Sequence, residues 1–225
     1  SKKKGKRAKS DDGTPWIKRH RPTNGQVELG VFGGVMLIAK DHELYRPADA
    51  AGSNWEEYKR VAPDIGLRVG YYPLSFLGVE VEGGVIPTKT ATSAQSAILG
   101  TFRGYAIAQL PYRVAPFVLV GYGLMGTTGL GKDIDPALHF GGGVKFYVND
   151  LIALRLDVRD NATAQYKTDG GRTNHLEFLL GLSIVLNKKK EKPAPDPATD
   201  GDGFKDRVDK CVNTPGIAPD GCPEA

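Results

Sequence analysis

The segment from Ile152 to Arg159 alternates large aliphatic side chains with small or ionisable ones along its whole length. Its sequence is Ile-Ala-Leu-Arg-Leu-Asp-Val-Arg. Because successive side chains of a β-strand point to opposite faces, this segment predicts a strand with one apolar and one ionic face. The architecture of the protein therefore depends on which of these two faces is enclosed.

Eight segments of similar strand-like content follow one another, and the connections between them alternate in length. The segments are 26–40, 60–72, 77–90, 97–110, 115–127, 135–148, 151–162 and 173–187. Each is at least as long as the roughly 9–11 residues of a tilted membrane strand. The second, fourth and sixth connections are short turns, whereas the others are polar and mostly longer. This arrangement predicts an all-β, eight-stranded antiparallel transmembrane barrel whose two chain ends leave on the short-turn side.

A soluble barrel with a ligand inside would show the same alternation, so three further observations decide. The polar faces carry many glycines, which a narrow lumen requires beside long side chains. Only four lysines lie between Val61 and Asn187, although a soluble barrel would scatter lysines over its outer surface. Aromatic residues collect at the short-turn ends, as at a membrane interface: Tyr71, Tyr72, Phe76, Tyr112, Phe117, Phe146 and Tyr147. Together these observations favour the membrane barrel.

If the ionic face lines the lumen, it encloses five basic and six acidic groups. They are Glu28, Asp64, Arg68, Glu80, Glu82, Arg103, Lys145, Arg155, Asp157, Arg159 and Glu177. Their near balance predicts mutual pairing, because unpaired charges in a poorly hydrated interior would be costly. We expect an ionic plug that fixes strand register rather than an ion path. Arg103 is the least secure member, since Tyr105 and Ile107 share its face.

The sequence offers little for catalysis, and we expect no enzyme. His139 and His175 are the only histidines in the predicted strands. Ser183 shares a face with His175 but lies roughly 26 Å further along the strand, at about 3.3 Å per residue. A hydrolase needs its nucleophile within hydrogen-bond reach of the base. His139 is therefore interpreted as one more polar group of the lumen.

Residues 1–25 form a basic extension before the barrel. Residues 1–21 hold nine Lys/Arg and two Asp, a net charge of +7 in a chain whose total is +4. A Lys-rich stretch without apolar periodicity predicts a disordered leader that orders only where Trp16 finds a contact. With one aromatic residue and no second motif, we expect no nucleic-acid partner; electrostatic contact with an anionic lipid or polymer is sufficient for such a charge.

Beyond the barrel, residues 188–198 predict a Lys/Pro-rich linker and residues 199–225 a second small unit. This unit predicts a Ca²⁺ site on the principle of an EF-hand loop, with Gly203 allowing the sharp turn. The ligands would be Asp200, Asp202, Asp206 and Asp209, with the backbone carbonyl of Phe204. The two cysteines of the chain, Cys211 and Cys222, predict a disulfide, as expected for a short acidic module of an exported protein.

Two resemblances follow from these segments. Residues 26–187, and above all the hairpin from Lys145 to Asn161, resemble the barrel of OmpA-type outer-membrane proteins of Gram-negative bacteria. The run Asp200-Gly-Asp-Gly-Phe-Lys-Asp-Arg-Val-Asp-Lys-Cys211, through Gly221-Cys-Pro223, resembles a thrombospondin type 3 repeat. That family would place its first carboxylate at position 198, where this chain has Ala198, so we expect weak calcium binding.

The resemblance implies a structural protein of the cell outer membrane, without an open pore and with both termini in the periplasm. Its expected partners are outer-membrane lipid and a periplasmic protein or peptidoglycan-associated assembly. In many OmpA-type proteins such repeats lead to a peptidoglycan-binding domain, which does not occur before Ala225, so the gene product continues or another partner uses the repeat. The alternatives are a barrel that binds or transports a small ligand and, more weakly, a lipid-modifying enzyme.

Overall fold

The computed structural model divides the chain into two units, Ser1–Lys189 and Lys190–Ala225. It describes residues 14–44, 55–128, 133–165 and 170–187 of the first unit. In the second unit it describes residues 199–201, 203, 205, 208–211, 213–216, 222 and 223. The boundary between the units lies within the predicted linker.

The first unit is a closed antiparallel barrel in which each strand pairs with the next and the last pairs with the first. Its strands are Gln26–Leu37 (β1), Val61–Leu74 (β2), Leu77–Lys89 (β3), Ser96–Gln109 (β4), Val114–Thr128 (β5), Asp133–Tyr147 (β6), Ile152–Ala164 (β7) and Arg172–Leu186 (β8). Every predicted strand is present, with ends shifted by a few residues at most. The predicted fold class is confirmed.

Short turns and long connections lie at opposite ends of this barrel. Residues 75–76, 110–113 and 148–151 form the short turns. Val27 pairs with Leu186, so both chain ends of the barrel also lie at this end, which we call the short-turn rim. The one helix in the described part of the chain is a 3₁₀ turn at Trp16–Lys18, and none is long and apolar enough to cross a membrane.

Side chains alternate between the lumen and the outer surface, with the apolar face outward. In β8, Leu180 is 59% exposed and Ile184 49%, whereas Glu177 is fully buried. Exposed aliphatic and aromatic side chains recur on all eight strands and form a continuous apolar band. A hydrocarbon environment requires such a band, and water disfavours it. The soluble barrel with an inward apolar face is therefore excluded.

Glycines of the lumen face allow close approach between neighbouring strands. A β-carbon added to Gly143 would collide with the Leu156 carbonyl and lie 2.8 Å from the ring of Phe117. One added to Gly66 would collide with the ring of Phe32. The missing side chains thus create the space that the large inward-pointing groups fill.

The predicted aromatic band at the short-turn rim is only partly correct. Tyr71, Phe76 and Tyr112 are 49%, 51% and 42% exposed and do lie on the outside. Three others are buried inside the barrel, at 5% exposure or less: Tyr72, Phe117 and Tyr147. The strand alternation decides their direction, because Tyr72 has the same parity as Arg68 in β2. The tyrosines at this rim therefore lie on both sides of the barrel wall, some on the outer surface and some in the lumen.

We expect the barrel to resist SDS until it is boiled. Every strand is hydrogen-bonded to a neighbour on both sides, so no open edge remains at which strand separation could begin. The measurement is gel mobility of heated and unheated samples. Equal mobility of the two samples would contradict the closed barrel.

Candidate functional site

The eleven ionisable residues predicted for the lumen all lie inside the barrel and are at most 5% exposed. They come from seven of the eight strands; β5 contributes none of them. The three members on β7 occupy alternate positions, 155, 157 and 159, and so share one face of that strand. The structure brings the whole predicted set into one space.

Arg155 and Lys145 anchor the part of this network nearer the short-turn rim. Arg155 donates from Nη1 to Glu80 Oε2 and from Nη2 to Asp157 Oδ1, each at 2.6 Å. Lys145 Nζ donates to Glu28 Oε2 at 2.9 Å and to Glu80 Oε1 at 3.2 Å. These contacts join β1, β3, β6 and β7 across the lumen.

Arg159 and Arg68 converge on the next carboxylates of the lumen. Arg159 Nη1 donates to Glu82 Oε1 at 2.6 Å, and its Nη2 donates to Asp157 Oδ1 at 2.9 Å. Arg68 Nε donates to the other oxygen of Glu82 at 2.8 Å. Asp157 therefore accepts from both arginines of its own strand, and Glu82 accepts from arginines of two different strands.

Arg103, the least secure member from the sequence, is fully buried in the lumen. Its Nη1 donates to Glu177 Oε1 at 3.0 Å and to Asn161 Oδ1 at 2.7 Å, and its Nη2 lies 2.7 Å from Glu82 Oε1. Asp64 lies beside Glu177 and is also fully buried. Among the described side chains Asp64 is within ion-pair distance of no cation, so the expected pairing fails for this carboxylate.

Three tyrosines, which the sequence analysis did not assign to the lumen network, complete its hydrogen bonds. Their hydroxyls donate to carboxylates in the pairs Tyr72 with Glu80, Tyr105 with Glu82 at 2.9 Å, and Tyr147 with Glu28 at 2.9 Å. The guanidinium of Arg155 also lies 4.3 Å from the ring centroid of Phe117. The lumen is thus packed with side chains, as eight strands require.

An apolar cluster fills the lumen at the long-loop end. It contains Met36, Ile38, Leu44, Tyr58, Ala62, Ile86, Ala97, Leu99, Met125 and Ala137. Four of its large side chains are supplied by β1, β3, β4 and β5, and the loop after β1 adds Ile38, Leu44 and Tyr58. The alternation of the strands predicts inward-facing residues here, but the loop contributions have no periodic pattern.

We call this cluster, together with the loop residues around it, the apolar cap. His42 lies within it. Its ring stacks on Tyr58 with centroids 4.7 Å apart, and Nε2 accepts a hydrogen bond from the Tyr58 backbone N–H at 3.0 Å. Burial lowers the pKa of His42 to about 3, so the ring is neutral at physiological pH. Nearby, the Asp41 carboxylate accepts from the Thr173 hydroxyl and the Gln165 amide, both at 2.6 Å. These contacts fasten the first long connection to the β7–β8 end of the barrel.

The two strand histidines are both buried in the barrel. His139 lies edge-on to the ring of Tyr105 at 5.4 Å. His175 Nδ1 accepts from the Ala39 backbone N–H at 3.1 Å, so its other nitrogen carries the proton and donates to the Thr163 hydroxyl at 2.8 Å. A donor cannot serve as the general base for that hydroxyl.

The described residues of the second unit include two of the five predicted calcium ligands, Asp200 and Asp209. Asp209 is 7% exposed; its Oδ1 accepts from the Cys211 backbone N–H at 2.7 Å, and its Oδ2 is buried without a described partner. The other three lie outside the described residues: Asp202, Phe204 and Asp206. Within the described part, no three His, Cys, Asp or Glu side chains converge on one point.

Cys211 and Cys222 are joined by a disulfide. The preceding turn has Gly203 at φ +92° and Gly201 at φ +78°, backbone conformations that favour glycine. The calcium site itself stays a prediction, because residues 202, 204 and 206 lie outside the described part of the chain.

Comparisons with known proteins agree with a membrane barrel. The sequence matches no family model. Over an alignment of 122 residues it is 27% identical to outer membrane porin F of Pseudomonas aeruginosa, covering 48% of this chain and 35% of that protein. The chain thus spans about a third of this curated relative's length. The apolar outer surface and this similarity together make the chain an outer-membrane β-barrel.

Solved structures of similar fold include the N-terminal β-barrel domain of Pseudomonas aeruginosa OprF and Neisserial surface protein A. The first is 14% identical with a TM-score of 0.48, covering 72% of this chain and 98% of that one. The second is 15% identical with a TM-score of 0.49, covering 71% and 95%. At these scores the fold rests on the strand pairing of this protein itself.

We expect Arg155→Ala and Arg159→Ala each to lower the free energy of unfolding by about 3–5 kcal/mol, because each removes one of the cations that neutralise its buried carboxylates. Urea titration in lipid vesicles measures the change. Arg172→Ala, at an exposed position of β8, removes the same charge and is expected to change the value by no more than about 0.5 kcal/mol. Neutral results for both lumen variants would show that the lumen is hydrated.

Proposed function

We propose that this protein is a closed barrel that anchors periplasmic envelope components, or a partner assembly, to the outer membrane. The observation that carries the proposal is the filled lumen. Ion pairs among buried side chains cross it at its middle, and the apolar cap occupies its long-loop end. An ion would have to break charge-assisted hydrogen bonds and then cross an apolar layer, both of which are costly.

The anchoring role is supported by where the chain leaves the barrel. β1 begins and β8 ends side by side at the short-turn rim, so the chain both enters and leaves the barrel at this end. In outer-membrane barrels the short turns face the periplasm. A disulfide-closed module is suited to that oxidising compartment. The expected partner is a periplasmic protein or a peptidoglycan-associated assembly.

A barrel that conducts or transports a small solute is the second candidate, and the name of one relative favours it. Outer membrane porin F is described as a porin, but the similarity covers 35% of that protein. Side chains fill the described part of the lumen, which argues against a permanent water-filled path through it. No specific observation favours a lipid-modifying enzyme.

In planar bilayers the folded protein is expected to show no stepwise conductance. The reason is that its lumen is filled by paired charges and an apolar cap. As a control, the heat-dependent gel shift of the same preparation shows that protein without conductance is present and folded. Discrete, reproducible open levels from folded protein would reject the closed anchor and support the transport function.

We also propose that the second unit binds Ca²⁺ weakly through Asp200, Asp202, the Phe204 carbonyl, Asp206 and Asp209. The support is the donor chemistry, the glycine turn and the buried Asp209 oxygen. When bound, the ion would neutralise the clustered carboxylates and order the loop. Because a unit of this size cannot bury a large apolar core, the metal and the Cys211–Cys222 disulfide would stabilise it together.

Calorimetric titration of the whole protein with CaCl₂ is expected to give a Kd of about 10⁻⁴–10⁻³ M, typical of weak extracellular sites. Asp209→Asn is expected to weaken binding at least tenfold, because it removes one negative ligand. Asp150→Asn, which removes the same charge from a turn of the barrel, is the matched control. Absence of a calcium-dependent signal in the oxidised protein would remove the metal from the proposal.

A further inference from the structure

The end of the basic extension is ordered against the short-turn rim. The Trp16 ring stacks on Phe146 with centroids 6.3 Å apart. The guanidinium of Arg113, in the β4–β5 turn, lies 4.8 Å from the Trp16 centroid and 5.4 Å from that of Phe146. The Arg113 backbone N–H also donates to the Ile17 carbonyl at 2.8 Å. Trp16 is thus held against the barrel by one aromatic ring, one cation and a backbone hydrogen bond to its neighbour Ile17.

This attachment point lies on the membrane side of the barrel wall. Phe146 is the last outward-facing residue of β6, between Lys145 and Tyr147, which are buried in the lumen. It pairs with Leu154 of β7, which is 42% exposed on the apolar band. Trp16 itself is 52% exposed. A half-exposed tryptophan at the edge of an apolar band lies at the level of the lipid headgroups.

Cations follow immediately. Lys18, Arg19 and Arg21 come within five residues of Trp16, and Arg113 lies beneath its ring. The described residues of this rim are 14–25 and the three short turns. Among them Asp150 is the one acidic residue, and its Oδ1 lies 2.9 Å from His20 Nδ1. Along the sequence, residues 2–12 add six Lys/Arg and two Asp, and residues 188–190 add three lysines next to the end of β8.

The opposite rim has no such excess of one sign. Its described connections hold Lys40, Lys59 and Arg60 beside Asp41, Glu43, Glu56 and Glu57. The short-turn rim is therefore the one end of the barrel at which an aromatic anchor and a run of basic residues occur together in the described structure.

We propose that this N-terminal segment is a binding site for anionic phospholipid headgroups in the leaflet at the short-turn rim. Trp16 and Ile17 seat the segment in the membrane interface, and Lys18, Arg19 and Arg21 bind the phosphates. Arg113 is a positioning residue, because its guanidinium holds Trp16 against Phe146 while donating to the backbone carbonyls of Tyr147 and Val148. The site selects lipid by charge.

The proposal is tested with the whole protein carrying Trp55→Phe, which leaves Trp16 as the single tryptophan of the chain. The protein is reconstituted in phosphatidylcholine containing equal mole fractions of either brominated phosphatidylglycerol or brominated phosphatidylcholine, and quenching of Trp16 is measured. Each basic residue near an anionic surface contributes about 1 kcal/mol, so we expect the anionic lipid to be enriched at least about fivefold at Trp16.

K18Q/R19Q/R21Q is expected to bring the two quenching curves together, since it leaves Trp16 in place and removes the cations. K59Q/R60Q/K89Q removes the same charge from the long-loop end and is expected to keep the preference. Arg113→Gln is expected to reduce quenching by both lipids, because Trp16 is then released from Phe146. Equal quenching by both lipids in the Trp55→Phe protein, or an unchanged preference in K18Q/R19Q/R21Q, would overturn the proposal. The gel shift on heating shows that each variant has folded.

Discussion

The need to pair charges inside a narrow, poorly hydrated space determines most of this structure, with Asp64 as the exception among the described lumen carboxylates. A carboxylate moved out of water costs several kcal/mol, and only a cation held at hydrogen-bond distance offsets that cost. Arg155, Arg159 and Arg68 meet the requirement because each contacts a carboxylate of another strand. Because these contacts cross the lumen, a shift of register in a strand that supplies one of these residues would break pairs with other strands. The ionic interior thus specifies the barrel as well as filling it.

The outer surface follows from the opposite requirement. Lipid tails offer no hydrogen bonds, so the barrel must satisfy its backbone by closure and present apolar side chains outward. The polar interior and the apolar exterior are therefore two consequences of one alternation. The same alternation places Tyr72 inside and Tyr71 outside, although the two are adjacent in sequence.

Much of this could be predicted from the sequence because the alternation is local. It identified the strands and the membership of the lumen set, including Arg103. It could not identify the partners, since whether Arg103 meets Glu177 or Asp64 depends on the stagger of strands 74 residues apart in one case. The cap around His42 was not predicted either, because its loop residues follow no period. Tyr72 and Tyr147 lie close to the short-turn rim, so their position suggested the membrane interface although their parity in the strands places them in the lumen.

The contacts of the N-terminal segment could be predicted only in part. The sequence indicated that Trp16 would order where it found a partner, but Phe146 comes from a distant strand and Arg113 from a distant turn, which periodicity cannot bring together. For the second unit, the carboxylates, glycines and cysteines were evident from the motif. The disulfide is present, and the calcium site remains a prediction because most of its ligands lie outside the described residues.

Strand β7 carries its own counterion. Asp157 stands between Arg155 and Arg159 on one face and bonds to both, so these pairs join residues two positions apart. Contacts so close in sequence need almost no chain closure and can form before the distant strands meet. A nascent β7 can therefore approach the bilayer with part of its charge already neutralised, which lowers the cost of bringing it into an apolar medium. The arrangement that locks the finished lumen would also ease the insertion of the strand that supplies it.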